Sequence, residues 1–253
     1  MNTYYSFCVI IGLTLGSFYN VVGLSVPIKQ SFTNRRSACP TCKKTLSPFE
    51  LIPVLSYVIQ RGKCRGCKSR ISPLYPLIEL TTGLLFAAAP LVLGWTSELF
   101  IAWALISLFM IITVSDIAYM LIPDKILLFF TAVFLCLRIW QPLTPWFDSI
   151  LGAAAGFLLL LLIAVVSKGG MGGGDIKLFA VLGLLLGMKS VLLSFMFSTF
   201  FGAVFGIVGL LIGAVERKKP IPFGPFIAMG TLAAYFFGER IVYWYTHIFI
   251  AGF

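Results

Sequence analysis

Two acids stand where an apolar chain leaves them little company. Asp175 lies in Gly-Met-Gly-Gly-Gly-Asp-Ile-Lys (170–177), and Asp116 ends the run Ile-Ser-Leu-Phe-Met-Ile-Ile-Thr-Val-Ser-Asp (106–116). An ionisable group at membrane depth is costly and by default marks function. Two carboxylates held close together cannot both ionise easily, so such a pair shares a proton. The ionised member can then take a proton from water while the protonated one donates to a carbonyl oxygen. That is the chemistry of a peptide bond hydrolysed at the bilayer. Asp175 would also serve as a helix cap, but a cap needs no Gly169–Gly170–Met171–Gly172–Gly173–Gly174 run. Open backbone of that kind, with Gly172 and Gly174 as supporting residues, lets a second extended chain approach closely.

Other acids and bases have plainer readings. Asp124 follows Ile-Pro and suits an N-cap. Glu79, in Tyr-Pro-Leu-Ile-Glu-Leu, falls in the first turns of a span where the helix N-terminus favours an anion, a structural role with a supporting one open. Lys177 is either an electrostatic partner of the acids or a side chain snorkelling to the headgroups. Glu50, Glu98, Asp148, Glu216 and Glu239 fall in loops or at span edges and are expected to be solvated.

Cys-Pro-Thr-Cys (39–42) and Cys-Arg-Gly-Cys (64–67) are two Cys-x-x-Cys knuckles with 21 residues between them. Four thiolates from Cys39, Cys42, Cys64 and Cys67 suit tetrahedral zinc in a ribbon-like loop, structural because no position is left for water. A thioredoxin-like pair would need one such motif on a βαβ background. Cys8 and Cys136 lie inside apolar runs and read as small apolar fillers.

The elements that must position these groups are membrane helices. Of 253 residues 59% are hydrophobic and 11% charged, and the mean hydropathy is +1.00. A soluble domain carries about 25% charged residues. Apolar stretches recur along the chain, and 4–26 has no basic region before it, so it is expected to be a retained helix. With His247 as its one histidine, the chain has no zincin motif, and no Gly-x-Ser-x-Gly accompanies a Ser-His pair. His247 instead sits among Tyr243, Trp244 and Tyr245 as part of an interfacial aromatic belt.

A span needs about 20 apolar residues. Spans are expected near 5–26, 75–94, 98–118, 126–141, 149–167, 176–188, 190–214 and 222–238, the sixth being too short to cross unsupported. Ten Lys and Arg (Lys29, Arg35, Arg36, Lys43, Lys44, Arg61, Lys63, Arg65, Lys68, Arg70) fall in 27–74 against Glu50 alone. The positive-inside rule makes that loop cytoplasmic and the N-terminus external. Eight spans also put Lys125, Lys168, Lys177, Arg217, Lys218 and Lys219 inside. Only Arg138, Lys189 and Arg240 lie outside, a split of 16 to 3 that supports the count. The count puts Asp116, Asp124 and Asp175 on one membrane face. The organisation is then a first helix (1–26), a basic cytoplasmic four-cysteine loop (27–74) and a transmembrane core (75–253). The surplus charge serves topology and anionic lipid rather than nucleic acid, for which no recognition fold is present.

On the residues alone the same two acids also fit the proton relay of a proton-coupled transporter, with the glycine run as a broken helix, although no internal repetition is visible. A zinc-anchored, non-catalytic scaffold is a third reading. The order of several motifs decides between them. They are Leu15–Val22 (Leu-Gly-Ser-Phe-Tyr-Asn-Val-Val), the two knuckles, Leu51–Tyr57, Ile71–Leu80, Asp116 to Asp124, Met171–Leu178 and Ile221–Phe226. Together these resemble the type IV prepilin peptidases, membrane aspartyl proteases of the GxGD type. The resemblance implies an all-α polytopic membrane fold in a bacterial cytoplasmic membrane, with Asp116 and Asp175 as the catalytic pair. It implies cleavage of the basic leader of prepilins or pseudopilins at the cytoplasmic face. It also implies, for many members, methylation of the new N-terminus with S-adenosylmethionine, for which no donor-binding residue is read from the sequence. One departure is Gly23-Leu24-Ser25-Val26-Pro27, where members often have Arg-Leu-Pro after the Asn-Val-Val stretch.

Overall fold

The structure is a computed structural model, and it describes residues 2–31, 37–213 and 221–249. Arg35, Arg36, Glu216, Arg217, Lys218 and Lys219, assigned to loops above, lie outside the described residues. Those described are almost entirely helical, with two isolated β-bridges and no strand. They form two compact units, Met1–Tyr119 and Met120–Phe253.

The first unit contains α1 (Asn2–Ser25), a 3-10 turn (Pro48–Leu51), α2 (Leu55–Ile59), α3 (Leu74–Leu93) and α4 (Glu98–Tyr119). The three long helices pack on one another. Small residues allow the approach of α1 to α3: a Cβ on Gly16 would lie 2.8 Å from the Cα of Glu79. Helix α4 is the most deeply set, with Ile101, Leu105, Leu108, Phe109 and Ile112 fully buried. Trp103 stacks on Phe86 and donates its Nε1–H to the Phe86 carbonyl at 3.1 Å, so α3 and α4 are tied by an aromatic and a polar contact at once.

The second unit contains α5 (Asp124–Trp140), α6 (Asp148–Val166), α7 (Gly173–Leu186), α8 (Met188–Leu211) and α9 (Gly224–Phe249). With 14 residues α7 is about 21 Å long, short of a hydrocarbon core of roughly 30 Å. Its neighbours supply the support that the sequence demands. Helices α5, α6 and α8 all pack on α7, and Leu178, Phe179, Leu182 and Leu185 are fully buried. The α6 and α7 backbones touch: a Cβ on Gly152 would strike the Gly183 carbonyl, and one on Gly183 the Gly152 carbonyl. Between membrane helices, packing of this closeness replaces the hydrophobic drive available in water.

Each of the eight expected spans falls on one of the helices other than α2. Five of these, over 3–25, 74–93, 98–119, 148–166 and 188–211, are long and apolar enough to cross a membrane. Helix α7, at 14 residues, is shorter than an unaided span, and α5, at 17, stands at the lower limit.

Three expectations change. Asp148 is half-buried rather than freely solvated: its Oδ1 accepts the Met188 N–H at 3.2 Å, which caps α8 at the Gly187 joint. Glu50 is buried, and its Oε2 accepts the Ser47 N–H at 2.9 Å. Bonding to that N–H and to the Ser47 hydroxyl holds its carboxyl below the usual range. Cys136 is exposed on α5, whereas Cys8 is buried as expected. At the end of α9, Tyr243 packs on His247 with ring centres 4.2 Å apart, in keeping with an aromatic cluster.

Candidate active site and metal centre

Asp116 lies in the last turn of α4, in the first unit, and is 7% exposed. Asp175 is the third residue of α7, in the second unit, and is half-buried. Its N–H donates to the Gly172 carbonyl at 3.1 Å, so Gly172 is the N-cap and Gly173 and Gly174 form the first turn. The glycine run is therefore partly helix, not all open loop. The two helical glycines differ sharply. A Cβ on Gly174 would lie 2.9 Å from the Ile122 Cβ, whereas one on Gly173 would meet nothing within 4 Å. Gly174 is small because the chain before α5 presses on it. Gly173 has open space.

Asp124 does not act as the N-cap, a position taken by Pro123. Both its carboxylate oxygens accept from Lys177 Nζ, at 2.8 and 2.9 Å. The pair is exposed on both sides, so its worth is about 0–1 kcal/mol. Its geometric effect is to join the N-terminus of α5 to the N-terminus of α7, two residues from Asp175. Lys177 is thus a partner to an acid, and that acid is Asp124.

Glu79 is buried, and it is the sixth residue of α3, beyond the turn where a helix dipole acts. Its reason is a hydrogen bond instead. Glu79 Oε2 accepts the Val54 N–H at 2.7 Å, and Ser17 of α1 is a further partner. Val54 has φ 59°, a left-handed conformation that a β-branched residue rarely adopts. The carboxylate holds that bend in place, and α2 starts from it.

The four cysteines of the two knuckles come together, with all four Sγ atoms within 4.8 Å of one another. The knuckles are built alike. The Cys39 N–H donates to the Lys44 carbonyl and the Cys64 N–H to the Ser69 carbonyl, both at 2.9 Å. Lys43 and Lys68, each following the second cysteine of its knuckle, take the same turn at φ 59° and 61°. The β-bridges Ala38–Thr45 and Lys63–Arg70 close the two loops. The sulfurs of Cys39 and Cys67 are 3.8 Å apart, the edge of a tetrahedron with Zn–S bonds of about 2.3 Å, roughly 3.8 Å.

The electrostatics of the cluster suit a cation. N–H groups of Cys42 and then Thr41 bring the Cys39 thiol down to about 6. The Ser69 hydroxyl and N–H lower Cys67 in the same way. At Cys42 the Lys44 N–H pulls down, but desolvation and the neighbouring sulfurs push the thiol up to about 11. Four sulfurs this close cannot all be thiolates unless a positive ion sits among them. The donor set therefore fits a structural metal held by four cysteines. The knuckle pattern does not single out Ser69, yet its Oγ lies 3.0 Å from the Cys67 Sγ and 3.7 Å from that of Cys39. Its one signal in the sequence is its position two residues after the second knuckle.

Comparison with known proteins identifies the family. Residues 10–93 match the Bacterial Peptidase A24 N-terminal domain, and residues 103–207 match the Type IV leader peptidase family. A prepilin leader peptidase/N-methyltransferase of Bacillus subtilis (strain 168) is 48% identical over 93% of this chain and 95% of its own length. A protein of the same name from Aeromonas hydrophila is 34% identical over 98% of this chain and 95% of its own. That of Pseudomonas aeruginosa is 33% identical over 97% and 93%. No solved structure gives a significant match. These likenesses support the peptidase and not the proton-coupled transporter. The chain belongs to the type IV leader peptidase family, as a helical membrane protein with a four-cysteine cluster.

Proposed function

We propose that the chain removes the basic leader from type IV prepilins or pseudopilins, with Asp116 and Asp175 as the acid pair. The observation that carries this is the family match over both units, within which the Asp116–Asp124 stretch and the Gly-x-Gly-Asp motif ending at Asp175 keep the family's pattern. The helix ends suggest how the work divides. The first turn of α7 favours a negative charge, so Asp175 is the base that takes a proton from water. The water oxygen attacks the scissile carbonyl carbon, and buried Asp116 gives its proton to the carbonyl oxygen. As the tetrahedral intermediate collapses the C–N bond breaks, Asp175 gives its proton to the leaving amine, and Asp116 takes back a proton from a hydroxyl of the intermediate. The pair then holds one shared proton again, and its two pKa values belong to the pair.

The basic loop supports a cytoplasmic four-cysteine module over 27–74, between an initial helix at 1–26 and a peptidase core at 75–253, with the N-terminus outside. That orientation suits a prepilin, whose basic leader lies inside and whose apolar helix lies in a bacterial inner membrane. Zinc is the metal the cysteines suit best, bound by Cys39, Cys42, Cys64 and Cys67; it would crosslink two knuckles and leave no open position for catalysis. Methylation of the new N-terminus with S-adenosylmethionine is supported by the names of the relatives, which include an N-methyltransferase activity. No nucleic-acid partner is proposed.

The test is co-expression with a prepilin and mass measurement of the pilin N-terminus. The wild-type chain is expected to release the leader. Asp116→Asn and Asp175→Asn should each remain in the membrane yet slow cleavage at least a hundredfold, general acid–base catalysis being worth about 10²–10⁴-fold. Near-normal processing by both variants would reject the acid pair.

A further inference from the structure

The segment between the two cysteine knuckles carries a surface that its fold leaves uncovered. Phe49, Leu51, Ile52, Leu55, Val58 and Ile59 are all exposed, Phe49 at 74% and Val58 at 63%. In α2, Leu55, Val58 and Ile59 are spaced i, i+3, i+4, so they share one face of the turn. Around them stand Lys43, Lys44, Arg61, Lys63, Arg65, Lys68 and Arg70, all exposed. The acid of this stretch, Glu50, is buried and turned inward onto Ser47. Six large exposed apolar side chains among 11 residues, bordered by cations without an exposed acid, form an amphipathic surface rather than an ordinary loop.

The Glu79–Val54 bond fixes the height of this surface. Glu79 lies five residues into α3, about 8 Å along the helix from Leu74. Leu77 and Leu80, beside it on α3, are exposed in the way lipid-facing residues are. Because the Val54 N–H reaches that level at 2.7 Å, α2 starts at the depth of the first turns of a membrane span. The segment is also leashed to the bilayer from both ends, by α1 and by α3.

We propose that Phe49–Ile59 is an interfacial platform, its apolar face set into the acyl boundary of an anionic leaflet and its lysines and arginines on the headgroups. The four-cysteine module then lies flat on the membrane instead of projecting from it. A bound prepilin is the other conceivable occupant, but the proposed substrate's leader is basic and the seven cations repel it. Charge complementarity favours anionic lipid. The inference needs only a membrane-spanning chain, and it stands or falls apart from the peptidase reading.

The experiment is amide hydrogen exchange of the full chain in nanodiscs of neutral phosphatidylcholine, and in discs containing about 30% phosphatidylglycerol, with and without a prepilin. Exchange at residues 49–60 should slow at least fivefold in the anionic discs, before any prepilin is added. In the triple variant Phe49→Ser, Val58→Ser, Ile59→Ser that difference should vanish while α3 and α4 stay protected as in the wild type, which reports an intact fold. Equal exchange in both discs would overturn the proposal. So would protection that appears only with prepilin, which would make this a substrate surface, or protection that scales with chains per disc, which would make it a contact between copies.

Discussion

Single atoms carry the metal argument. Cys39 and Cys67 place their sulfurs 3.8 Å apart, a separation that matches the edge of a tetrahedron around a metal bound by four thiolates. The backbone does the placing, through two copies of one turn with Lys43 and Lys68 in the left-handed conformation. The cluster should therefore hold one zinc per chain, and Cys39→Ser with Cys42→Ser should abolish it, because two remaining ligands cannot complete a tetrahedron. Metal analysis of reduced, chelator-free protein checks this; a chain without zinc, or an unchanged zinc content in the double variant, contradicts it. The cluster was legible in the sequence because ligand spacing is local. Glu79 was legible as important but for the wrong reason: its partner, the Val54 N–H, lies 25 residues away and leaves no trace in local pattern.

At the scale of elements, the start of α7 is the most demanding structure in the chain. Two devices locate it. The Asp124–Lys177 pair ties it to α5, and Gly174 lets the Leu121–Pro123 segment press against it through Ile122. The second device is the stronger, since an exposed pair contributes about 0–1 kcal/mol and an overpacked contact costs about 1–3 kcal/mol. Gly174→Ala should thus lower both the stability of the chain and its rate of leader removal. Gly173→Ala, with open space for its methyl, should keep its stability or gain a few tenths of a kcal/mol from reduced backbone freedom. Thermal melting in detergent with a cleavage assay separates the two, and equal behaviour of both variants would remove Ile122 as the reason for Gly174. The long helices were readable because each is a continuous apolar run. The 3-10 turn and α2 were not, because their short apolar pattern looks like loop until Glu79 and Ser47 pin it.

For the molecule as a whole, everything turns on how often the chain crosses the membrane. An even number of crossings between the four-cysteine loop and the segment before α7 puts Asp116 and Asp175 at the same face; an odd number separates them and ends the acid-pair mechanism. The counting hinges on α5, whose 17 residues reach about 26 Å. That is a little below the roughly 30 Å of hydrocarbon, a shortfall that local thinning of the bilayer can absorb at fractions of a kcal/mol per Å. In the proposed eight-span order α3 would leave the face of the loop, α4 return to it, α5 leave again and α6 return, bringing the chain to Lys168 and Gly169. The charge supports this order, since Lys125 and Lys168 then share the side of the seven cations at 43–70 while buried Arg138 lies opposite, satisfied by the Leu185 carbonyl at 2.8 Å. An epitope inserted after Lys168 should therefore be shielded in intact spheroplasts and reached by antibody only in inverted vesicles, and one inserted after Lys44 should behave in the same way. An epitope after Trp146, in the exposed turn between α5 and α6, should show the reverse. If the Lys168 epitope instead labels from outside, α5 does not cross, the two acids stand on opposite faces, and neither can serve the other as proton partner.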